Sequence, residues 1–350
     1  MDEQTSQFRE FVRTVGRGER RAKPLSFDDA RTAMGMILDG KVDPDQRGAF
    51  LLACRIKGED PEEMAGFVAA MQERCQTLPN SPEAISIGHP YDGREDTFIM
   101  GAGAAIVAAR CGARVVLHGA GRVPPKCAGT VGDVLNELAI PQHLDGSAAS
   151  ASLKENGFAH LDTRKLLPAW SAQLPIREKI GLRLPFSSAE KLLDLSGSRR
   201  VIVGIAHGPY LEKMTGAMRR LGLSGAVIQG QEGSCDLSPQ HPTRVCRVDG
   251  NSVTEVSIDP KALGISPALP VREIGADPKR CAELTQNALG GKDDEQSRGA
   301  AEAIAFNAGV ILWISGIVTD VTAGLSMARE QLAAPSPPAP LPQGERGERR

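Results

Sequence analysis

The stretch AISIGHPYDGREDTFIMGAGAAIVAARCGARVVLHG (84–119) contains, in order, a strand, a loop, a helix and a second strand. AISIG (84–88) and ARVVLHG (113–119) are short apolar runs rich in β-branched residues, which is typical of buried strands. The Ala-rich run TFIMGAGAAIVAARCG (97–112) is typical of a helix. Three later segments repeat the scheme: RRVIVGIA (199–206), PYLEKMTGAMRRLG (209–222) and GAVIQG (225–230). This alternation predicts an α/β fold with a mainly parallel sheet flanked by helices.

The stretch before residue 79 has helical periodicity instead and predicts a small bundle domain. We expect three helices, each with an apolar stripe at helical spacing. They begin at Ser26, at Asp43–Pro44 and at Asp60–Pro61, which are residue types that cap or start helices. The predicted architecture is therefore a small N-terminal helical bundle domain plus a larger α/β domain.

These patterns divide the chain into segments. Residues 1–24 are expected to be an N-terminal extension, and residues 25–78 to form the helical domain, joined by a segment around 160–195. Residues 79–333 are expected to form the α/β domain. Residues 334–350 are Pro-rich and then charged, so they bury too little apolar surface to repay ordering and predict a disordered tail.

Composition narrows the class of protein. The net charge of −2 gives no global positive field that would attract nucleic acid or a membrane, although a local basic patch remains open. No apolar run is long enough to span a bilayer, and the first 21 residues lack the apolar centre of a signal peptide. Seven cysteines without CxxC spacing indicate reduced thiols in a cytoplasmic protein.

Ligands of open α/β sheets bind beyond the carboxyl ends of the strands. Four polar, glycine-bearing segments are expected at that edge: 88–96, 118–129, 206–209 and 229–236. His207 stands in the third of these loops, but with no acidic or serine partner nearby in sequence it is weak evidence for acid–base catalysis. The four loops are the predicted functional region.

Three segments resemble the anthranilate phosphoribosyltransferase family, glycosyltransferase family 3, and its nucleoside-phosphorylase relatives. The first is DPDQRGAFLLACRIKGEDPEEMAGFVAAM (43–71). The second, VVLHGAGRVPPKCAGTVGDVLNELAI (115–140), resembles the family's strand, His-Gly-Asn-Arg loop, lysine and Asp-Val-Leu helix. The third comprises AEAIAFNAGVILWISG (301–316) and AGLSMAREQL (323–332), which resemble the closing helices. The resemblance covers roughly residues 25–333.

The resemblance implies an active site in the cleft between the two domains and a homodimer formed through the helical one. It implies that the diphosphate of phosphoribosyl pyrophosphate lies with Mg²⁺ near the turn after the first strand. An aromatic acceptor would lie toward the helical side. The reaction would transfer a pentosyl or phosphoribosyl group to an aromatic or nitrogenous acceptor.

The opening loop corresponds to the family's Gly-Thr-Gly-Gly-Asp diphosphate loop, in which glycines let backbone amides approach the anion. The residues expected to bind phosphate there are Gly88, Asp92, Gly93, Arg94 and Thr97. The glycine-rich motif itself is missing, because His89, Pro90 and Tyr91 replace small residues. Proline removes a donor, tyrosine blocks close approach, and the arginine adds a charge that could replace backbone donors. The alternative is a structured turn without a ligand.

The second loop retains His118, Gly119 and Lys126 of the family pattern, while Arg122 is displaced by one position. Two prolines replace the family's two serines and remove hydroxyls that could contact phosphate. Lys126 and Arg122 still supply cationic donors for an oxyanion. The alternative is a pair of solvated basic side chains.

Two further positions follow from the resemblance. The family's Asp-Glu pair that holds magnesium corresponds to Cys235 and Asp236, and a thiol is a poor ligand for a hard cation. Glu232 would have to compensate, or the segment is a surface turn. The family's acceptor-binding arginine corresponds to Arg177, for which a structural salt bridge is the alternative.

Three functions remain open from the sequence. The first is transfer of a pentosyl group. The second resembles a branch of the family that has lost the diphosphate loop and binds nucleic acid through phosphate-directed cations. The cations for that role are Arg94, Arg122, Lys126, Arg177, Lys179 and Arg183. The third is a regulatory scaffold with a vestigial site.

Overall fold

The computed structural model describes residues 3–18, 20–78, 81–89, 92–142, 145–265 and 269–334. Pro90 and Tyr91 lie outside the described residues, so the expectation that they add bulk to the diphosphate loop falls outside them as well. The same holds for residues 335–350, for which a disordered tail was expected. Within the range, no helix is long and apolar enough to cross a membrane.

The N-terminal bundle has four helices: α1 (Glu3–Val15), α2 (Phe27–Leu38), α3 (Pro44–Lys57) and α4 (Pro61–Gln72). The three predicted starts are confirmed, since Ser26, Asp43 and Asp60 each accept a backbone hydrogen bond as an N-cap. Satisfying these otherwise unpaired amides is what fixes the starts.

Helix α1 lies in the segment that we expected to be an extension before the bundle. Its buried residues are Phe8, Phe11 and Val15, and the Phe8 ring packs on Phe50 at a centroid distance of 5.2 Å. These apolar positions stand at spacings of three and four residues, which is a helical pattern within a highly charged stretch. The bundle core therefore begins inside the first 24 residues.

The strands that the structure describes are β1 (Ala84–Gly88), β2 (Arg114–Gly119), β3 (Phe158–Asp162), β4 (Arg200–Gly204), β5 (Ser224–Ile228), β6 (Thr243–Asp249) and β7 (Ser252–Ile258). They form one sheet in the order β3-β2-β1-β4-β5-β6-β7. The first five strands in this order pair in parallel, whereas β6 pairs antiparallel with β5 and β7 antiparallel with β6, which confirms the mainly parallel sheet. Strands β3 and β7 lie at the two edges of the sheet. The sequence patterns above did not predict β3 and β6.

Helices cover both faces of the sheet. They are α5 (Gly101–Arg110), α6 (Val131–Glu137), α7 (Gly146–Asn156), α8 (Thr163–Leu166), α9 (Pro168–Ser171), α10 (Leu174–Ile180), α11 (Phe186–Ala189), α12 (Tyr210–Leu221), α13 (Val271–Ile274), α14 (Pro278–Leu289), α15 (Glu295–Ser315) and α16 (Val321–Ala333). Alternate strand residues enter two cores, as the period of two requires. One core contains α5, α14, α15 and α16, and the other is continuous with the N-terminal bundle.

The segment from α8 to α11 packs against the bundle. Gln72 on α4 exchanges hydrogen bonds with the backbone of Asp194, at 3.0 and 2.9 Å. Gln173 accepts a hydrogen bond from Arg47 on α3 at 3.1 Å. These contacts bring α10 and α11 over the carboxyl edge of the sheet, where they form one wall of a cleft.

Candidate functional site

The site lies where the carboxyl ends of β1, β2, β4 and β5 meet the bundle, at the edge that the strand order predicts. The loop after β1 contacts the loop after β5 through Arg94 and Asp236. The loop after β2 reaches the same place, since Lys126 contacts Glu232 at 3.2 Å. The remaining loop, after β4, lies beside them, because its His207 lines the same cavity as Asp92 and Glu232. The four predicted loops are therefore brought close together.

The loop after β1 is less helical than its sequence suggests. The predicted helix 97–112 begins only at Gly101. The preceding residues are held by side chains instead, because Thr97 Oγ1 accepts hydrogen bonds from Arg94 and donates one to Glu232. The start of α5 is thus displaced by the contacts of the site itself.

Gly88 and Gly93 are required by close packing of the chain on itself. A Cβ at Gly88 would lie 2.4 Å from the carbonyl oxygen of Lys191. A Cβ at Gly93 would lie 2.3 Å from the carbonyl oxygen of Ala128, and its φ of +85° is in the left-handed region. Close packing within the fold is therefore sufficient to require glycine at both positions.

Arg94 is 2% exposed and directs its guanidinium inward. It forms a salt bridge with Asp236 and donates hydrogen bonds to Thr97 Oγ1 and, at 2.6 Å, to the carbonyl oxygen of Phe98. Asp236 also accepts from the Gly101 amide at 3.2 Å. The positive charge of Arg94 is thus neutralised within the fold.

Glu232 receives five hydrogen bonds through one carboxylate. The donors are the amides of Glu95, Asp96 and Thr97 at 2.9, 3.1 and 3.0 Å, the Thr97 hydroxyl at 2.8 Å, and Lys126 Nζ at 3.2 Å. Burial raises the pKa of Glu232, but these hydrogen bonds outweigh it and lower the pKa to about 2. The carboxylate is therefore ionised at neutral pH.

The residues expected to hold magnesium do not fit that ion as they are arranged. Asp236 is paired with Arg94, and both oxygens of Glu232 are engaged with amides, a hydroxyl and Lys126. Burial raises the pKa of Cys235 well above its usual value, so a neutral thiol stands beside them. In the part of the chain that the structure describes, no three His, Cys, Asp or Glu side chains cluster to hold a metal.

The loop after β2 divides into parts with different surroundings. His118 is buried, and burial lowers its pKa to about 3, so the imidazole is neutral. Gly119 ends β2, with nothing within 4 Å of a Cβ built on it. Arg122 is half exposed and contacts Asp133 at 3.3 Å. Of the two predicted cations of this loop, Lys126 is the one that contacts Glu232.

A cavity of about 110 Å³ lies beside these loops, between α3, α10, α11 and the ends of β4 and β5. Its basic lining residues are Arg55, Arg177, Arg183, Lys191 and His207. Its acidic lining residues are Glu59, Asp92, Glu190 and Glu232. The predicted acceptor residue Arg177 and the retained acid Asp92 thus line one cavity with His207.

Arg177 is 1% exposed and lies 3.3 Å from Glu190. Its Nε and Nη2 atoms have no hydrogen-bond partner among the described residues. Burial raises the pKa of Glu190 to about 7 against the opposing effect of Arg177. A buried guanidinium with two unused donors can accept an anionic ligand at this wall.

Sequence reasoning missed two residues here, Glu190, which is the partner of Arg177, and the adjacent Lys191. Glu190 and Lys191 belong to SSAEKLL (187–193), which reads as an ordinary polar face of a short helix. Lys191 Nζ donates to the carbonyl oxygens of Gly204 and Gly233 at 3.0 and 2.9 Å. The available signal was two adjacent charged residues directly before two leucines.

The six predicted cations do not form one exposed surface. Arg94 and Arg177 are buried, so they cannot reach a nucleic-acid backbone. Arg183 lines the cavity and forms a salt bridge with Asp92, whereas Arg122 and Lys126 pair with other acids. Lys179 is exposed on α10. The basic groups that converge do so around a small cavity.

The helical bundle and the mainly parallel α/β domain, with a charged cleft where they meet, form the two-domain architecture that the sequence predicts. Sequence comparison agrees, since the helical bundle domain of the glycosyl transferase family matches residues 9–75 and its a/b domain matches residues 92–335. The chain belongs to this glycosyl transferase family.

Its relatives include anthranilate phosphoribosyltransferases. That of Rubrobacter xylanophilus is 30% identical over 345 residues, covering 98% of each chain. That of Geobacillus kaustophilus is 30% identical and covers 89% of this chain and 90% of the relative.

Solved structures share the fold. Anthranilate phosphoribosyltransferase from Thermus thermophilus superimposes with a TM-score of 0.79 at 25% identity, covering 93% of this chain and 94% of that one. The Saccharomyces cerevisiae protein in complex with PRPP and Mg gives a TM-score of 0.77 at 20% identity, covering 93% of each chain. At that identity the second likeness concerns the fold alone.

Proposed function

We propose that this protein transfers a pentosyl group from a phosphorylated donor to a small, carboxylate-bearing aromatic acceptor bound in the cavity. The observation that carries the proposal is Arg177, a buried guanidinium at the cavity wall with two unused donors. A planar guanidinium matches a carboxylate in geometry and charge. Anthranilate, the acceptor in the relatives' name, belongs to this chemical class.

The reaction needs little from a catalytic base. The bond between C1 of the sugar and the phosphate leaving group breaks, and the electron pair departs with that group. A nitrogen of the acceptor forms the new bond to C1 and loses a proton. Positive charges beside the leaving group stabilise the charge that develops there. Arg183 and Lys191, which line the cavity, supply such charges in this chain.

Magnesium is a cofactor that the yeast relative's complex contains. Here the carboxylates that would hold it are engaged elsewhere, so we assign it no step. In this proposal the positive charge near the leaving group comes from the cationic side chains of the cavity lining.

The small-molecule proposal is favoured over nucleic-acid binding by where the cations lie. Two of the six are buried, and the cavity is too small for a polymer strand. A scaffold with a vestigial site would leave the unused donors of Arg177 without explanation.

Calorimetry and product analysis test the proposal. We expect the protein to bind phosphoribosyl pyrophosphate and anthranilate and to release pyrophosphate, with and without magnesium. Arg183→Gln should weaken donor binding about tenfold or more, which corresponds to about 1.4 kcal/mol. Lys179→Gln is the matched control, because this exposed cation is absent from the cavity lining.

Three outcomes contradict the proposal. The first is no heat with either compound and no pyrophosphate released, and the second is equal losses in both variants. The third is binding of a single-stranded oligonucleotide that falls steeply with salt and weakens in Lys179→Gln, which would favour the polyanion alternative.

We further propose a homodimer formed through the helical domain. Leu52 and Ile56 lie one turn apart on α3 and are 36% and 77% exposed. Large apolar side chains clustered on a surface are typical of an interface. The isologous contact of such a face with its own copy would bury both residues.

A further inference from the structure

We infer that Glu232 is an internal competitor for a phosphate-binding site, and that a phosphoryl group must displace its carboxylate in order to bind. The site is an amide cradle, which we define as the backbone N–H groups of Glu95, Asp96 and Thr97, the Thr97 hydroxyl and Lys126 Nζ. The inference deepens the proposed function and rests on it for the identity of the ligand, a phosphorylated donor.

The geometry of the cradle is that of an oxyanion site. Oε1 of Glu232 accepts hydrogen bonds from the Asp96 and Thr97 amides and from the Thr97 hydroxyl, at 3.1, 3.0 and 2.8 Å. Oε2 accepts from the Glu95 amide at 2.9 Å and from Lys126 at 3.2 Å. Three successive amides aimed at one anion form a nest, and nests bind phosphate in many proteins.

The backbone of Glu232 points to the same conclusion. Its φ and ψ are 50° and 26°, in the left-handed region that residues with a Cβ rarely adopt. A non-glycine residue persists in this region when its surroundings fix it there. The five hydrogen bonds to its carboxylate contribute to fixing it, beside backbone hydrogen bonds from Gly233 to Gly230 at 3.2 Å and from Ser234 to Gln231 at 3.0 Å. Loss of the carboxylate contacts would leave the turn with these backbone bonds alone, so we expect residues 230–233 to become more mobile.

The amide cradle adjoins the proposed ligand cavity, because Glu232 contributes to both. This side chain lines the cavity while its carboxylate lies in the cradle. The exchange of one anion for another leaves Lys126 and the three amides satisfied, so displacement uncovers no unpaired donor. Glu232 therefore sets how tightly a phosphoryl group binds.

Calorimetry with inorganic pyrophosphate in magnesium-free buffer tests the inference. We expect Glu232→Ala to bind pyrophosphate about tenfold or more tighter than the wild-type protein, and Lys126→Ala in that background to abolish the gain. Glu255→Ala, which removes an exposed carboxylate paired with Arg244, is the matched control and should leave the affinity unchanged. A folded Glu232→Ala protein with wild-type affinity would overturn the inference.

Hydrogen exchange on the wild-type protein gives a test that needs no variant to fold. With saturating pyrophosphate, exchange should rise in residues 229–233 while the amides of residues 95–97 remain protected. Unchanged exchange in residues 229–233 would overturn the inference. Neither readout requires pentosyl transfer, so loss of the proposed function would appear separately, as absent pyrophosphate release.

Discussion

The guanidinium of Arg94 lies against the carboxylate of Asp236, and this buried ion pair joins two loops that are 142 residues apart in sequence. Asp236 is one of the acids that the family resemblance led us to expect as a magnesium ligand. In this structure its partner is a guanidinium instead. The contact also fixes the entry to α5, because Asp236 accepts the amide of Gly101.

Removal of one partner of this pair should strongly destabilise the fold. Arg94→Ala leaves Asp236 buried without its cation, and we expect the free energy of unfolding to fall by about 3–5 kcal/mol. Arg94→Lys should recover only part of the loss, because an ammonium lacks the planar fork that reaches Thr97 and Asp236 together. Urea denaturation measures both. Arg298→Ala, which breaks an exposed pair with Asp293, should change stability by less than about 1 kcal/mol. Equal losses at the two sites would show that the Arg94 pair is not structural.

The Glu190 carboxyl should make stability depend on pH. Its pKa in the fold, about 7, lies above the usual value of 4.5. A raised pKa contributes stability that is fully present below pH 4.5 and is lost as the pH rises through 7. Glu190→Gln cannot titrate, so the stability of the wild-type protein relative to this variant should fall by about 2–3 kcal/mol between pH 4.5 and pH 7.5. Chemical denaturation of both proteins across this range gives the difference between their free energies of unfolding. The contributions of the other titrating groups cancel in this difference, because both proteins contain them. A difference that stays constant would mean that Glu190 is ionised throughout.

Patterns local in sequence were sufficient for much of the fold. β1 and β2 are apolar runs, and the N-cap residues Ser26, Asp43 and Asp60 indicate where their helices begin. FAHLD (158–162) is a short, mixed-polarity run, and only its place beside β2 makes it a strand. Such a strand has no local signal, because its pairing supplies the stability.

Less of the site than of the fold could be predicted from the sequence. The positions of Arg94, Lys126, Glu232 and Asp236 were predicted, but as groups facing a ligand. The structure shows them paired with one another across more than 100 residues of sequence. Such pairings depend on how the four loops meet, which periodicity and capping do not specify. Glu190 was missed for the same reason, since its partner Arg177 is 13 residues away on another helix.

Gly93 should tolerate no side chain. Gly93→Ala requires a Cβ 2.3 Å from the carbonyl oxygen of Ala128 as well as a left-handed backbone. Gly40→Ala is the control, because Gly40 has a φ of +69° but nothing within 4 Å of its Cβ. We expect Gly40→Ala to cost about 1–2 kcal/mol from the backbone conformation alone. Gly93→Ala should cost at least about 2 kcal/mol more, since overpacking adds to that term. Thermal unfolding of the two variants would contradict this expectation if their midpoints agreed.

The exposed face of α3 should control the oligomeric state. Ile56→Asp places a charge in the centre of the apolar patch, and a charge buried without a partner at an interface disfavours association. We expect the wild-type protein to sediment as a dimer and Ile56→Asp as a monomer, in analytical ultracentrifugation at the same concentration. Val253→Asp is the control, because Val253 is an exposed apolar residue on the edge strand β7 of the sheet and not on the helical bundle. The helices of the bundle already satisfy their core without Ile56, so its replacement should leave the thermal unfolding of the monomer nearly unchanged. A wild-type monomer, or a dimer that survives Ile56→Asp, would place the interface elsewhere or remove it.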